Sequence, residues 1–206
     1  MKPIEKLLEN NKTWAKNCIK NDPLFFENLV NIQNPNFLWI GCSDARVPAN
    51  TLAGLKPGEV FVHRNVGNQI VHSDLNCLTV IEFAVKFLKV KDIIVCGHYG
   101  CAAVKGALEN KRLGLIDNWL RHIKDLSDRN KIELEKISDP QQRFNQLCEI
   151  NIHQQVINVC NTSSVQEAWD SGQDISVHGI VYDLHDGLLK ELDLCISSKE
   201  DLQKIS

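Results

Sequence analysis

Two short apolar runs, each ending in a cluster of chemically useful side chains, constrain this chain more than any other feature. Phe37-Leu-Trp-Ile40 leads through Gly41 into Cys42-Ser-Asp-Ala-Arg46, and Asp92-Ile-Ile-Val-Cys-Gly97 leads into His98-Tyr-Gly-Cys101. Short apolar runs that end at glycine predict buried strands. Alternate residues of an extended segment face the same way, so Cys42, Asp44 and Arg46 leave the end of the first strand on one side. Ligands of open α/β sheets bind at the carboxyl ends of strands. If these two strands are parallel neighbours, Cys42, His98 and Cys101 converge at one sheet edge. Two thiolates and an imidazole form a soft N/S set that suits Zn2+, with the fourth position open to the Asp44 carboxylate or to water.

A zinc site of this kind can be purely structural. Structural sites, however, are usually closed by four Cys or His ligands at local spacing, whereas here the fourth candidate is an aspartate with its own arginine two residues on. That favours catalysis. A helix expected over 100–109 starts directly behind His98, which puts Cys101 near a helix N-terminus, where the dipole lowers a thiol pKa.

Around these segments the chain alternates strands with helices. Residues 3–31 are expected to be helical, with Ile4, Leu7, Leu8, Trp14, Ala15, Cys18 and Ile19 at three- and four-residue spacings. Asp22-Pro23 opens a second short helix there. Strands are expected at 37–41, 59–64, 92–98 and 175–182, with 188–196 returning as a hairpin partner or edge strand. Further helices are expected at 49–53, at 74–89 behind an Asp74 cap, and through 111–172 with breaks at Asp139-Pro140 and at 161–164. The pattern predicts an α/β fold, a parallel sheet with one antiparallel edge. At 206 residues the chain is one domain: a helical arm, 1–35, ahead of a metal-binding core, 36–206.

The net charge of −3 offers no electrostatic reason to bind nucleic acid. No apolar run approaches the length of about 20 residues that spans a bilayer, and Met1-Lys-Pro-Ile-Glu-Lys6 does not resemble a signal peptide. The expected location is the cytoplasm, where thiols stay reduced. Of the eight cysteines, Cys18, Cys77, Cys96, Cys148, Cys160 and Cys195 sit among apolar neighbours and are expected to be free core thiols.

Taken together, Cys42-Ser-Asp-Ala-Arg46, His63-Arg-Asn-Val-Gly-Asn68, His98-Tyr-Gly-Cys101 and the His178-Gly, Tyr182, Asp186-Gly187 tail resemble the β-class carbonic anhydrases along essentially the whole chain. The resemblance implies four parallel strands plus an antiparallel fifth, flanked by helices. It also implies an arm that embraces a neighbour, in a homodimer often doubled to a homotetramer. The reaction implied is reversible hydration of CO2 to bicarbonate and a proton by a hydroxide on zinc, which Cys42, His98 and Cys101 hold. Asp44 then orients the nucleophile, and Arg46, by a bidentate pair, keeps that carboxylate off the metal; displacing Arg46 would let Asp44 close the site.

Some family members carry an inhibitory bicarbonate pocket built from a tryptophan, an arginine and a tyrosine. Trp39, Arg64 and Tyr182 stand at the matching places, which implies the regulated type. Gln33 matches a glutamine that reaches a neighbouring subunit's substrate pocket, and Phe61, Val66 and Phe87 match apolar pocket positions, Phe87 replacing a tyrosine of some members. An alcohol dehydrogenase with the same ligand set is excluded by chain length and by the lack of G-x-G-x-x-G after a strand. A carbonyl sulfide or carbon disulfide hydrolase on the same scaffold stays open, as does a non-catalytic zinc or thiol-sensing module.

Overall fold

The computed structural model describes residues 2–30, 33–109 and 112–205. It forms two compact units, Met1–Asn34 and Pro35–Ser206. The first contains helix α1, Pro3–Asn21, and helix α2, Phe25–Val30. Proline opens α1, and the Glu5 carboxylate accepts the Lys2 amide at 2.8 Å, which caps the first turn. Asp22 Oδ1 accepts the Leu24 amide at 3.0 Å and turns the chain, so α2 starts at Phe25 rather than at Pro23. Residue 31, the expected end of this helical stretch, lies outside the described residues. Trp14 meets Phe25 and Phe26 edge-on, with ring centroids 6.2 and 5.8 Å apart. Neither helix buries a residue, and Ile4, Leu7, Leu8, Ile19 and Leu24 stay exposed.

The second unit is built on five strands: β1 Phe37–Cys42, β2 Val60–Asn65, β3 Asp92–His98, β4 Ser176–Tyr182 and β5 Leu189–Ile196. Their order is β2-β1-β3-β4-β5, the first four parallel and β5 antiparallel to β4. Parallel neighbours require crossovers that cover the faces. Those crossovers are α3 Ala49–Ala53, α4 Leu75–Glu82, α5 Ala102–Leu108, α6 Ile116–Arg129, α7 Lys131–Lys136, α8 Pro140–Cys160 and α9 Ser163–Asp170, and α10 Lys199–Ile205 follows β5.

Several expected helices differ in detail. The stretch 74–89 starts on its Asp74 cap, but ends in a π-helical turn over Phe83–Phe87 that stacks Phe83 on Phe87 at 5.3 Å. A 3.6-residue pattern does not reveal such a widening. Of the stretch 111–172, residue 111 lies outside the described residues and 112–115 are not helical; from Ile116 it breaks at the two expected places and also at Asn130, whose side chain donates to the Leu126 carbonyl at 2.8 Å and so ends α6. Helix α10, which buries Leu202, had no sequence expectation.

The main core lies on one sheet face. Leu38, Ile40, Ile93, Val95, Val177 and Val181 meet Ile81, Val85, Ile152, Val156 and Val165 there. Helix α8 approaches closely because β3 and β4 carry glycines under it. A Cβ at Gly97 would stand 2.6 Å from Ile152 Cγ1, and one at Gly179 2.8 Å from Leu194 Cδ2 and 3.3 Å from Val156 Cγ2. Cys77, Cys96, Cys148 and Cys160 are buried, as expected. Cys195 is not; it alternates outward between Leu194 and Ile196 on the edge strand, and Cys18, on α1, is only half-buried.

Candidate metal centre

Strands β1 and β3 pair in parallel with Gly41 opposite Cys96, so their C-terminal ends, Cys42 and His98, open at the same sheet edge. Beyond β3, Gly100 turns the chain with φ +72°, a left-handed conformation that glycine adopts without penalty. Cys101 then takes the N-cap of α5. One ligand atom from each of Cys42, His98 and Cys101 falls within 4.8 Å of the others, and all three residues are buried.

The geometry fits a tetrahedral metal. Two sulfurs bound to zinc at about 2.3 Å lie about 3.8 Å apart, whereas a disulfide needs about 2.05 Å. Cys42 Sγ and Cys101 Sγ are 3.9 Å apart. His98 Nδ1 donates to the Tyr99 carbonyl at 2.9 Å, which assigns the proton to Nδ1 and leaves Nε2 with a lone pair. That Nε2 is buried and has no hydrogen-bond partner. An orphaned buried acceptor between two thiols is what a metal ligand looks like without its ion.

The thiols are prepared for that role. Cys42 is drawn down to about 4 because Cys101 donates to it, with burial opposing and His98 and the amides of Gly67 and Asp44 adding to the effect. Cys101, expected at a helix N-terminus to be lowered, is instead pushed well up as the donor to Cys42, and burial adds to this. Both sulfurs bind a metal as thiolates, so binding releases the proton they hold. Burial lowers the His98 pKa, but the Cys42 thiolate, the Tyr99 carbonyl and Asp44 outweigh it and leave it raised.

Asp44 stands beside the centre, with Oδ2 3.7 Å from His98 Nε2. Arg46 holds it with Nε on Oδ1 at 2.9 Å and Nη2 on Oδ2 at 2.7 Å, while the Arg46 amide also reaches Oδ1 at 3.0 Å. The Arg46 side-chain bonds, the larger cause, and its amide hold the Asp44 carboxyl far below the usual carboxylate range. The Arg46 side chain is 58% exposed, so the pair contributes little to stability; what it sets is the aim of a carboxylate.

Arg64, at the end of β2, donates to the Cys42 carbonyl at 2.8 Å and to the Asp44 carbonyl at 2.5 Å. Trp39 and Tyr182 pack in one cluster with Cys96, Val47 and Ala49. Gly41 makes room for the indole, since a Cβ there would stand 2.6 Å from Trp39 Nε1. Of the expected substrate-pocket positions within the second unit, Val66 stands apart from Phe61 and Phe87. Val66 directly follows β2, and its carbonyl accepts from Trp119 Nε1 at 2.6 Å. Phe61 and Phe87 instead sandwich Phe83, with Phe61 to Phe83 at 5.8 Å. Phe61 pairs with Leu38, four residues before Cys42, or about 13 Å along the strand. Gln33 belongs to the first unit and is exposed.

The amides of Gly67 and Val104 that point at the sulfurs lie outside any metal-ligand pattern and had no sequence expectation. The one signal for the first was glycine: Gly67 has φ +79° and is followed by Asn68 at φ +46°, consecutive left-handed residues.

Comparison with known proteins agrees with this geometry. A family model described as "Carbonic anhydrase" matches residues 37–189. A carbonic anhydrase of Emericella nidulans is 44% identical over 202 residues, covering 98% of this chain and 89% of that protein. A solved Coccomyxa β-carbonic anhydrase in complex with acetazolamide matches with TM-score 0.94 and 41% identity, over 99% of this chain and 92% of that one. A structure from a study of two tetrameric β-carbonic anhydrases of Sordaria macrospora matches with TM-score 0.90 and 37% identity, over 96% and 100%. With backbone, sequence and a sulfur-sulfur-imidazole centre all in accord, the chain belongs to the β-class carbonic anhydrases, enzymes whose cofactor is zinc.

Proposed function

We propose that this chain catalyses the reversible hydration of CO2 at a zinc ion held by Cys42, His98 and Cys101, with Asp44 and Arg46 as its working pair. The observation that carries this is the position of Asp44, 3.7 Å from the orphaned His98 Nε2 yet engaged on both oxygens by Arg46. A structural site would spend that carboxylate as the fourth ligand; here it is kept beside an open corner. Zinc, when bound, supplies Lewis acidity that makes water nucleophilic near neutral pH. Asp44, ionised at every physiological pH, accepts a hydrogen bond from the attacking water and so orients its remaining lone pair toward carbon. Arg46 keeps Asp44 in that role. Stopped-flow CO2 hydration together with zinc analysis tests the assignment. Stoichiometric zinc without CO2 hydration, or turnover of carbonyl sulfide or carbon disulfide instead, would overturn it.

A second, regulatory reading is favoured by Arg64. It ties the carbonyls of Cys42 and Asp44 together, so an anion that draws Arg64 away loosens the turn presenting Asp44. Trp39 and Tyr182, packed together beneath this edge, complete a bicarbonate subsite with it. Bicarbonate should then inhibit cooperatively at lower pH, and Trp39→Phe or Tyr182→Phe should relax the inhibition; a wild type indifferent to bicarbonate would refute the subsite.

The assembly proposed is a homodimer doubled to a homotetramer, as in the tetrameric Sordaria relatives. The arm with its exposed Ile4, Leu7 and Leu8 would then be covered by a neighbour, Gln33 would serve the neighbour's substrate pocket, and Phe61, Val66 and Phe87 would be apolar pocket positions. A cytoplasmic setting, where thiols stay reduced, suits eight free cysteines. No described helix is long and apolar enough to cross a membrane.

A further inference from the structure

Helix α8 turns an unusual face toward the centre. Cys148, Asn151, Gln155 and Asn158 recur at spacings of three, four and three residues, and the first three are buried. A buried stripe of this composition needs partners, and its amides find them in the loop after β2, which follows Asn65, the residue paired with Cys42. Cys148 packs in one buried cluster with Cys42 and Cys101. Asn151 Nδ2 donates to the Gly67 carbonyl at 3.0 Å. Gln155 Nε2 donates to Asn151 Oδ1 at 3.1 Å and so orients it, while Gln155 Oε1 takes the Ile70 amide at 2.7 Å. Asn158 Nδ2 donates to the Ile70 carbonyl at 2.8 Å.

Gly67 is the residue this grip concerns. It stands two residues beyond Asn65, which pairs with Cys42 and whose carbonyl accepts the Ser43 amide at 2.8 Å, and its own carbonyl is held by Asn151. The residue is left-handed, and a Cβ would meet Ile123 Cδ1 at 3.0 Å and Ala103 Cβ at 3.2 Å. Its backbone therefore has no side chain of its own to anchor it, and the external hold comes from Asn151.

We propose that Asn151 is a positioning residue for the metal centre: from α8 it fixes the Gly67 backbone, and through it the loop that is bonded to the strand exit presenting Cys42. The inference rests on Cys42 being a zinc ligand. Groups that hold metal ligands in place are generally worth about 10- to 100-fold in metal affinity.

The test compares the full-length wild type with Asn151→Leu, which keeps the size but removes the donor, and with Asn158→Leu, which removes the bonds to the Ile70 carbonyl and to Gln155 Oε1, at 3.1 Å, but leaves the bonds from Gln155 to Asn151 and from Asn151 to Gly67 in place. Zinc affinity is measured by competition with a chromophoric chelator. Cobalt-substituted protein reports on the sulfurs through its thiolate-to-metal charge-transfer bands. Asn151→Leu should bind zinc about 10-fold more weakly with shifted bands, while Asn158→Leu keeps the affinity within about twofold and the bands unmoved. If Asn151→Leu does not fold, Asn151→Ser, too short to reach the Gly67 carbonyl, takes its place. Unchanged affinity and bands in a folded Asn151 variant would overturn the proposal, as would an equal loss in Asn158→Leu, which would make α8 a general brace. A wild type that takes up no zinc, or Cys42→Ser that retains it, overturns instead the ligand assignment underneath.

Discussion

Replacing Arg46 with alanine asks whether Asp44 is held clear of the centre or merely rests beside it. Two ligands on a tetrahedral zinc with bonds of about 2.1 Å sit about 3.4 Å apart. Asp44 Oδ2 is 3.7 Å from His98 Nε2, so as seen from His98 it stands only about 0.3 Å beyond ligand spacing. The two Asp44 oxygens are not equivalent in the variant. The Arg46 amide bond to Oδ1 is backbone and survives, whereas Oδ2 loses its one arginine contact. The oxygen set free is therefore the one already facing the imidazole. A pair with an exposed guanidinium is worth at most roughly fivefold in an equilibrium, so the two bonds together bias the carboxylate by about fivefold.

Arg46→Ala should accordingly retain stoichiometric zinc while kcat/KM for CO2 hydration, followed by stopped flow, falls by about fivefold. Lysine cannot reproduce the bidentate grip, so Arg46→Lys should fall between. Asp44→Asn should keep zinc and lose rate, and adding Arg46→Ala to it should cost nothing more, because the amide carries no charge with which to close the site. The pH dependence discriminates further. Without Arg46, the Asp44 pKa rises toward the ordinary aspartate value of about 3.9 but stays far below neutrality, so the loss should be uniform above about pH 6. A variant within threefold of wild type, one that loses its zinc, or one impaired only in acid would each refute the reasoning.

Two further outcomes test the packing and the buried charge balance. Gly97→Ala pushes a methyl to 2.6 Å from Ile152 Cγ1; overpacking of this kind costs about 1–3 kcal/mol, or a fall of roughly 2–12 °C in Tm for a chain of this size, and an unchanged Tm would contradict the close α8 approach. Burial lowers the His63 pKa, so the folded state keeps it neutral while the unfolded chain takes up a proton below about pH 6.5. Wild type should therefore lose urea stability relative to His63→Gln as pH falls through that value, with the two curves parallel above it; curves parallel throughout would rule out a stability cost for neutral His63.

What was legible in the sequence was what is local along the chain. Cys42 ends its strand and His98 and Cys101 straddle one turn, so apolar runs and turn chemistry placed them without any tertiary information, whereas Asp44 and Arg46 meet through a turn, with the Val47 amide on the Asp44 carbonyl at 3.0 Å, and not through the expected strand alternation. Strand boundaries followed from the same apolar runs, and Asp74 and Asp139-Pro140 announced their helices. Where a single side chain quietly took a backbone carbonyl, as Asn130 does from Leu126, the break was invisible, because asparagine in a long polar helix is ordinary. The separation of Phe61 from Cys42 was hidden for a different reason: it depends on β2 pairing with β1 in a register that puts Phe61 opposite Leu38.

The α8 stripe shows the sharper limit. Asn151, Gln155 and Asn158 at helical spacing are indistinguishable, in one dimension, from a solvated face, and a binary reading places them outward. They face inward because their partners are backbone groups of the Gly67–Ile70 loop, more than 80 residues earlier in the chain, and a loop drawn under a helix must have its amides and carbonyls satisfied. The same requirement explains why the centre can be assembled from turns that are far apart in sequence. Cys42 and Cys101 come from separate strand exits, yet α8 meets the surroundings of both: Asn151 holds Gly67 in the loop after β2, whose neighbour Asn65 pairs with Cys42, and Cys148 packs in one buried cluster with Cys42 and Cys101. One helix thus braces the ground on which two sulfurs from distant parts of the chain stand 3.9 Å apart.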